Sequence, residues 1–286
     1  MRICSLLPSA TEIVAELGLA ESLVAVSEEC DWPPEVRALP VVTASRVDTR
    51  ELSGLMIDEA VREALRDGRP LYAIDAGLLE ALDPDLILTQ NLCAVCAVSA
   101  DALDELCATD ARVLALDAHT LAEIEERIIG LADLLGVPSR GRAVAQEMEA
   151  RIAAVRERVA GTLPRRVFVA EWLEPPYVAG HWIPEMVEIA GGREILGRPA
   201  APSYPTTWAA VREQAPELVV VAPCGYDHER AARAASLPPL GCRAVAVDSN
   251  AYYARPGPRL AQGVAQLAFL IHPELIEDPG LPYVEL

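Results

Sequence analysis

The chain has 286 residues, of which 52% are hydrophobic and 23% charged, a balance typical of a folded globular protein rather than a disordered one. Its 43 acidic residues outnumber the 24 basic ones, which gives a formal net charge of −19. A surface of this charge repels a phosphate backbone, so we expect no nucleic acid among the partners.

The first residues of the chain pass directly into an apolar segment that is typical of a β-strand, without the pattern of a secretory signal. No uninterrupted apolar stretch approaches the length of a membrane span. The seven cysteines are irregularly spaced and do not form a disulfide framework. The sequence therefore predicts a cytoplasmic protein with reduced thiols and no membrane segment.

Short apolar runs alternate with helical patterns along the chain, which predicts an α/β fold. After the first strand, Ser9 and Glu12 have the spacing of a capping box and predict the start of a helix that ends at Gly18. Further strand candidates in the first half are residues 23–27, 40–44, 85–90 and 112–117.

The middle of the chain is predicted to be helical. Thr120 and Glu123 form a second capping box, before a helix that stops at Gly136. The next segment carries Met148, Ile152, Val155 and Val159 at helical spacing, and a helix there would extend over about 30 Å. We predict two Rossmann-like α/β lobes, residues 1–136 and 163–286, joined by a long rigid backbone helix within residues 137–162.

Two segments, one in each predicted lobe, have a similar pattern of residues. Residues 78–90 and 209–223 each combine a helix, a proline, an acidic residue and a buried strand. Because open α/β sheets bind ligands outside the carboxyl ends of their strands, the similar pattern predicts a ligand cleft between the lobes.

These segments resemble the class III substrate-binding proteins of vitamin B12 and iron–siderophore importers. The segments that carry the resemblance are "RICSLLPSATEIVAELGL", "LDPDLILTQ" and "APELVVVAP". The segments "CDWPPE", "TQNLCAVCAVS", "EWLEPPYVAGHWIPE" and "YYARPGPRL" are similar to a leaderless cobalamin-binding branch of that family. The resemblance implies two lobes around a rigid helix, with a bulky small-molecule ligand, cobalamin or a related corrinoid, held between them.

Importer receptors of this family dock on their permease through one surface glutamate in each lobe. The resemblance places these glutamates seven residues before Pro84 and Pro216, where this chain has Gly77 and Ala209. A small shift of the alignment would bring Glu80 or Glu213 close to those positions. The two missing glutamates argue against an ABC permease as a partner.

Cys93 and Cys96 follow a predicted strand that ends at Gln90. A zinc site would need a second Cys/His pair at a defined spacing, and a thioredoxin-like site would place the pair at the start of a helix. Small thiols that pack a tight loop remain the alternative to reactive or ligating chemistry. In either case we expect Gln90 and both cysteines to lie at the ligand cleft.

The segment 171–185 gathers aromatic residues directly after a strand of the second lobe. Trp172, Tyr177 and Trp182 are suited to stack on a large planar ligand, and His181 to hydrogen-bond the ligand or to coordinate its metal. The alternative is a loop folded on its own aromatic residues, with His181 exposed at the surface.

Other residues after predicted strands complete the candidate ligand site. They are Ser9, Trp32, Arg46, Tyr204, Tyr253 and Arg255. The arginines suit amide, carboxylate or phosphate groups. We assign no catalytic residue and no metal ligand of the protein itself, because no GxSxG, HExxH, P-loop or dinucleotide motif is found. The alternatives are an ABC-importer receptor for a metal chelate and an enzyme acting on a nucleoside- or cofactor-like ligand.

Overall fold

A computed structural model describes residues 1–47, 49, 52–92, 98, 103 and 110–286. The chain forms two compact units. The N-terminal unit comprises Met1–Leu52, Met56–Ala118 and Glu126–Val144, and the C-terminal unit comprises Ser53–Leu55, His119–Glu125 and Ala145–Leu286. The predicted boundaries at residues 136 and 163 remain predictions.

The N-terminal unit contains a parallel sheet of four strands in the order β2-β1-β5-β6 and an antiparallel pair formed by β3 and β4. The strands are β1 (Ile3–Ser5), β2 (Leu23–Val26), β3 (Thr43–Ser45), β4 (Tyr72–Ile74), β5 (Leu86–Thr89) and β6 (Arg112–Ala115). The first helices are α1 (Pro8–Glu16), α2 (Gly54–Arg66) and α3 (Ala76–Leu82), with 3₁₀ turns at Ala20–Ser22 and Pro34–Ala38.

The central strands of this sheet are buried. Every residue of β1 and β5 is at most 1% exposed, and Cys4 and Ile87 pack into one apolar cluster with Leu6 and Leu79. A parallel strand covered on both faces is a continuous apolar run, which is why these segments could be recognised in the sequence. Their polar neighbours are consequently found at the strand ends.

The C-terminal unit is built on a larger sheet in the order β10-β8-β7-β11-β12-β13, and β9 also pairs with β7. The strands are β7 (Arg165–Leu173), β8 (Pro176–Val178), β9 (Gly192–Glu194), β10 (Tyr204–Pro205), β11 (Leu218–Val221), β12 (Arg243–Val247) and β13 (Tyr283–Glu285). Strands β7, β11 and β12 are parallel. Their carboxyl ends therefore open at one edge of the sheet.

The remaining helices confirm the predicted α/β pattern. They are α4 (Leu121–Leu134), α5 (Pro138–Arg158), α6 (Ile183–Ile189), α7 (Trp208–Glu213), α8 (His228–Ala234), α9 (Ser249–Tyr252) and α10 (Leu260–Ile271). The 21 residues of α5 extend over about 32 Å, and Met148, Ile152 and Val155 are buried as their spacing predicted. In the described part of the chain, no helix is both long enough and apolar enough to cross a membrane.

One of the two predicted helix starts is wrong. The Thr120 hydroxyl accepts a hydrogen bond from the Glu123 amide at 3.1 Å, as a capping box requires. Helix α1 instead begins at Pro8, its N-cap is Leu7 without a side-chain cap, and Ser9 lies inside the first turn. Proline is a favoured first helical residue because it lacks the amide hydrogen that would otherwise have no partner.

Glu194, at the end of β9, is a buried carboxylate that holds several backbone amides. It accepts hydrogen bonds from the amides of Val169 at 3.0 Å and of Leu196 and Gly197 at 3.3 Å. Burial raises its pKa to about 7, although these amides favour the charged form. Glu194 thereby fixes the turn after β9 to strand β7.

Glu194 should make the stability of the protein depend on pH. Because its pKa is higher in the folded than in the unfolded chain, the folded state binds the proton more tightly, and stability falls as the pH rises from about 4.5 to about 7. The loss can reach about 3 kcal/mol. We expect the melting temperature of Glu194→Gln to change less with pH over this range than that of the unmodified protein. The control Glu126→Gln, at an exposed position of α4, should leave the pH dependence of the melting temperature unchanged. A slope that Glu194→Gln does not alter would contradict this assignment.

Gly263 allows α10 to approach the end of α9. A Cβ atom at this position would overlap the carbonyl oxygen of Tyr252, whereas a Cβ at Gly130 on the exposed face of α4 would meet nothing within 4 Å. We expect Gly263→Ala to destabilise the protein by about 1–3 kcal/mol. Gly130→Ala should be neutral or stabilise it by up to about 1 kcal/mol, because alanine favours a helix. Thermal unfolding followed by circular dichroism measures both, and equal melting temperatures would refute the close approach.

Candidate functional site

Trp172 lies at the carboxyl end of β7 and begins a series of contacts along the strand ends of the C-terminal unit. Its indole Nε1 donates a hydrogen bond to the Gly54 carbonyl at 3.2 Å. Its half-buried ring meets the ring of Tyr226 edge to face, with centroids 5.4 Å apart. These two contacts fix the orientation of the indole.

Tyr226 follows β11 and carries the contacts towards the next strand. The guanidinium carbon of Arg230 lies 3.9 Å from the centroid of its ring, within the range of a cation–π interaction. Its carbonyl accepts a hydrogen bond from the Asn250 amide at 3.1 Å. The loops after β11 and β12 are therefore joined at this tyrosine.

The loop after β12 places a buried arginine beside these residues. Asp248 caps α9 through the Ala251 amide at 2.9 Å, and burial raises the pKa of its carboxyl group. Arg255 is only 7% exposed and donates to the side-chain oxygen of Asn250 at 3.0 Å. We name the set formed by Trp172, Tyr226, Arg230, Asn250 and Arg255 the strand-end cluster.

The loop that carries His181 is held by backbone and carboxylate contacts. Glu171 accepts hydrogen bonds from the Gly180 amide at 3.1 Å and from the side chain of Ser203, and burial raises its pKa. The His181 amide donates to the Ala201 carbonyl at 2.7 Å. Burial, with a further contribution from His119, lowers the pKa of His181 and favours the neutral imidazole.

Trp182 and Tyr253 are buried inside the C-terminal unit, and the prediction that their rings contact the ligand stays a prediction. Trp182 is 5% exposed and donates from its indole Nε1 to the Tyr253 carbonyl at 2.7 Å. Tyr253 is fully buried, and its hydroxyl donates to Gln266 at 2.8 Å. The two residues join the loop after β8 to the loop after β12 from the inside.

The remaining aromatic candidates of this unit lie on β8 and on the edge strand β10. Tyr177 is half-buried in β8, where it is the cross-strand partner of Trp172 in β7. Tyr204, in β10, is 43% exposed, and its hydroxyl donates to the Leu196 carbonyl at 3.0 Å. Both residues remain candidates for contact with a ligand.

In the N-terminal unit the predicted site residues divide into buried and exposed ones. Ser9 and Gln90 are 1% and 4% exposed, so both lie in the interior near strand ends. Trp32 is 41% exposed, and Arg46 is exposed with its Nε donating to the Tyr72 carbonyl at 3.3 Å. Trp32 and Arg46 therefore remain candidates for contact with a ligand.

A group of hydroxyls and one thiol fills the space between the ends of β1 and β2. The Thr11 hydroxyl donates to Ser5 Oγ at 2.8 Å and lies 3.1 Å from the Cys30 sulfur, which is 3.2 Å from Ser27 Oγ. All four residues are buried. The hydroxyls and the thiol serve as hydrogen-bond partners for one another, so the group orders the strand ends rather than presenting a reactive thiol.

Cys93 and Cys96 lie outside the described residues, and the prediction that they are placed at a strand end stays a prediction. The start of their segment is described: the amides of Asn91 and Leu92 donate to the Asp117 carboxylate at 2.6 and 2.8 Å. Asp117 follows β6, so the segments after β5 and β6 are held together at their first residues.

The sequence analysis missed four residues of this region: Tyr226, Arg230, Asn250 and His119. The first three follow β11 and β12, and His119 follows β6. The rule that ligands bind at strand ends would have found Tyr226 and Asn250, because they follow the parallel strands β11 and β12.

Residues 3–236 match the periplasmic binding protein family. The chain belongs to this family. The match covers most of the chain and confirms the resemblance to class III substrate-binding proteins, with the two-lobe α/β fold that it implied.

Several relatives and solved structures are similar to this chain over nearly its full length. The vitamin B12-binding protein of Photorhabdus laumondii is 23% identical over 93% of this chain and 86% of its own. The periplasmic vitamin B12-binding protein BtuF of Vibrio cholerae is 23% identical, covers 94% of this chain and 96% of its own, and has a TM-score of 0.68. A periplasmic heme-binding protein from Pseudomonas aeruginosa, 22% identical over 99% and 97% of the two chains, has a TM-score of 0.73.

The predicted cytoplasmic location is wrong. The family and the solved structures that the chain resembles are those of periplasmic binding proteins. The prediction rested on the first residues of the sequence.

Trp182→Phe should destabilise the protein without removing a ligand contact. The phenyl ring cannot donate to the Tyr253 carbonyl, which would then be buried without this partner at a cost of about 1–3 kcal/mol. We expect a lower melting temperature and an unchanged ligand affinity in the same preparation. An unchanged melting temperature, or an affinity loss that exceeds the effect of Trp172→Ala, would contradict this role.

Proposed function

We propose that the protein is a binding protein for a corrinoid, with cobalamin as the leading ligand. The family supports a binding protein for a small molecule, and the curated relatives that match 93% of the chain are vitamin B12-binding proteins. The observation that carries the proposal is the strand-end cluster, which joins two aromatic rings to two arginines at adjacent strand ends.

The chemistry of the strand-end cluster suits a large ring with polar groups at its edge. Trp172 is half-buried and provides apolar surface, and its ring is held by contacts with Gly54 and with the buried ring of Tyr226. Arg230 and Asn250 are both half-buried and provide hydrogen-bond donors of the kind that bind the amide carbonyls at the periphery of a corrin, while the buried Arg255 holds the side chain of Asn250. Of the other predicted residues of this unit, Tyr177 is half-buried and Tyr204 is exposed, so both are accessible enough to contribute further contacts.

Heme is the second candidate ligand, because the solved structures with the same fold include heme-binding proteins from Pseudomonas aeruginosa and Vibrio cholerae. The two ligands differ in charge. The propionates of heme would need the charge of the arginines, whereas the amides of cobalamin need only donors. A comparison of the two ligands on one protein therefore separates the candidates.

We infer that the protein does not dock on an ABC permease through residues 77 and 209. Gly77 on α3 and Ala209 on α7 are both exposed but carry no carboxylate. Glu80 and Glu213 are exposed on the same two helices. A docking interaction based on glutamates would have to use these residues instead.

Titration of the protein with cyanocobalamin, aquocobalamin and hemin tests the proposed ligand. We expect one equivalent of a cobalamin to bind with a dissociation constant in the micromolar range or below, measured by calorimetry and by the cobalamin absorption spectrum, and hemin to bind more weakly. The absence of heat and of a spectral change with both cobalamins would remove the proposal. Stoichiometric binding of hemin alone would establish the second candidate.

Trp172→Ala tests whether the strand-end cluster holds the ligand. We expect the affinity for the ligand to fall at least about tenfold, because a stacking surface is lost, while circular dichroism shows a folded chain. The matched control is Tyr283→Ala on β13, whose ring packs on Phe269. Equal affinities of the two variants and the unmodified protein would exclude the cluster as the binding surface.

A further inference from the structure

Two of the four histidines of the chain meet in the C-terminal unit. His119 is exposed in the segment between β6 and α4, and His181 is half-buried between β8 and α6. Their Nδ1 atoms lie 3.4 Å apart, although the residues are 62 positions apart in sequence.

The distance between the two ring nitrogens fits a long hydrogen bond and also fits a shared metal ion. Hydrogen bonds between nitrogen and an acceptor are most often about 2.9–3.0 Å long. Two imidazole nitrogens on one tetrahedral zinc, each at about 2.0–2.1 Å, are about 3.3–3.4 Å apart. The observed distance of 3.4 Å lies within this range for two nitrogens on one zinc ion.

Both histidines are held in place by their backbones. His181 adopts a positive φ of 53°, which is uncommon for a residue other than glycine. Its amide donates to the Ala201 carbonyl at 2.7 Å, and its carbonyl accepts from the Ala200 amide at 2.9 Å. The His119 amide donates to the Glu123 carboxylate at 2.6 Å. Such strained and fixed backbones are concentrated at functional sites.

Carboxylates lie on the helices that follow the two histidines. Glu123 bonds the His119 amide, and Glu185 accepts from the Leu121 amide at 3.0 Å. Glu125 lies within electrostatic reach of Glu149 and Glu185. This concentration of negative charge favours a cation over an anion at the histidine pair.

We propose that His119 and His181 bind one divalent transition-metal ion of the zinc, nickel and copper class through their Nδ1 atoms. Imidazole is a preferred ligand for these ions. Within the described ranges, no group of three or more histidine, cysteine, aspartate or glutamate side chains is arranged to hold a metal. The protein therefore supplies two ligands, and water or a small donor molecule completes the coordination.

The two histidines could not both bind the metal of a corrin or a heme. Such a ring occupies the four positions in its plane and leaves two on opposite faces, where the ligand nitrogens would be about 4 Å apart at metal–nitrogen distances of about 2 Å. Two nitrogens 3.4 Å apart occupy neighbouring positions instead. The proposal does not rest on the proposed function, and it can hold whichever ligand the protein binds.

The test uses the full chain without a polyhistidine tag, after removal of metals with a chelator. Calorimetric titration with Zn²⁺ should show one ion bound with a dissociation constant in the micromolar range. One equivalent of Cu²⁺ should give an electron paramagnetic resonance spectrum with coupling to two imidazole nitrogens. Absence of binding at one equivalent, or a copper spectrum without imidazole coupling, would overturn the proposal.

Two variants and a control assign the ligands. His181→Asn keeps a residue that tolerates a positive φ, and His119→Gln changes an exposed side chain, so both variants should fold. Each should lower the Zn²⁺ affinity at least tenfold, whereas His228→Gln on α8 should leave it unchanged. Zn²⁺ affinity that survives in the double variant, or that falls equally in the control, would show that the ion binds elsewhere.

Discussion

The hydrogen bonding of β7, β11 and β12 as parallel neighbours is the constraint on which the C-terminal unit depends. Val167, Val219 and Val245 are fully buried, so the central parts of these strands carry apolar side chains. Polar and aromatic groups are found where the strands end, and parallel strands end on the same edge. The strand-end cluster is a consequence of this arrangement rather than of any local motif.

Loops at such an edge need internal support, because short segments cannot bury much surface of their own. Here the support comes from buried polar groups. Glu171 and Glu194 hold backbone amides, and the Trp182 indole holds the Tyr253 carbonyl. The residues that face outwards and the residues that hold the loops in place are therefore different, even within one short segment such as 171–182.

The sequence predicted the parts of the structure that depend on local order. The strands around Leu86 and Val219 were recognised because both of their faces are buried, and the face of α5 was recognised from the spacing of Met148 and Ile152. The burial of Trp182 could not be predicted, because the carbonyl that its indole contacts lies 71 residues away in the chain.

Contacts between distant segments were not accessible for the same reason. The pairing of His119 with His181 depends on how the segments after β6 and β8 fold, and neither residue carries a local pattern. Residue type alone also does not distinguish an aromatic ring on a surface from one in the interior. The prediction for Trp172 and that for Tyr253 rested on the same argument, and the structure places the two rings differently.

The division of the chain limits how far its two units can be treated as separable modules. The C-terminal unit takes Ser53–Leu55 and His119–Glu125 from the first half of the chain. A fragment that starts at residue 145 would lack the Gly54 carbonyl that accepts from Trp172, and also His119. Gene fusions, domain exchanges and split versions of this protein that cut once between the units would therefore separate residues that fold together.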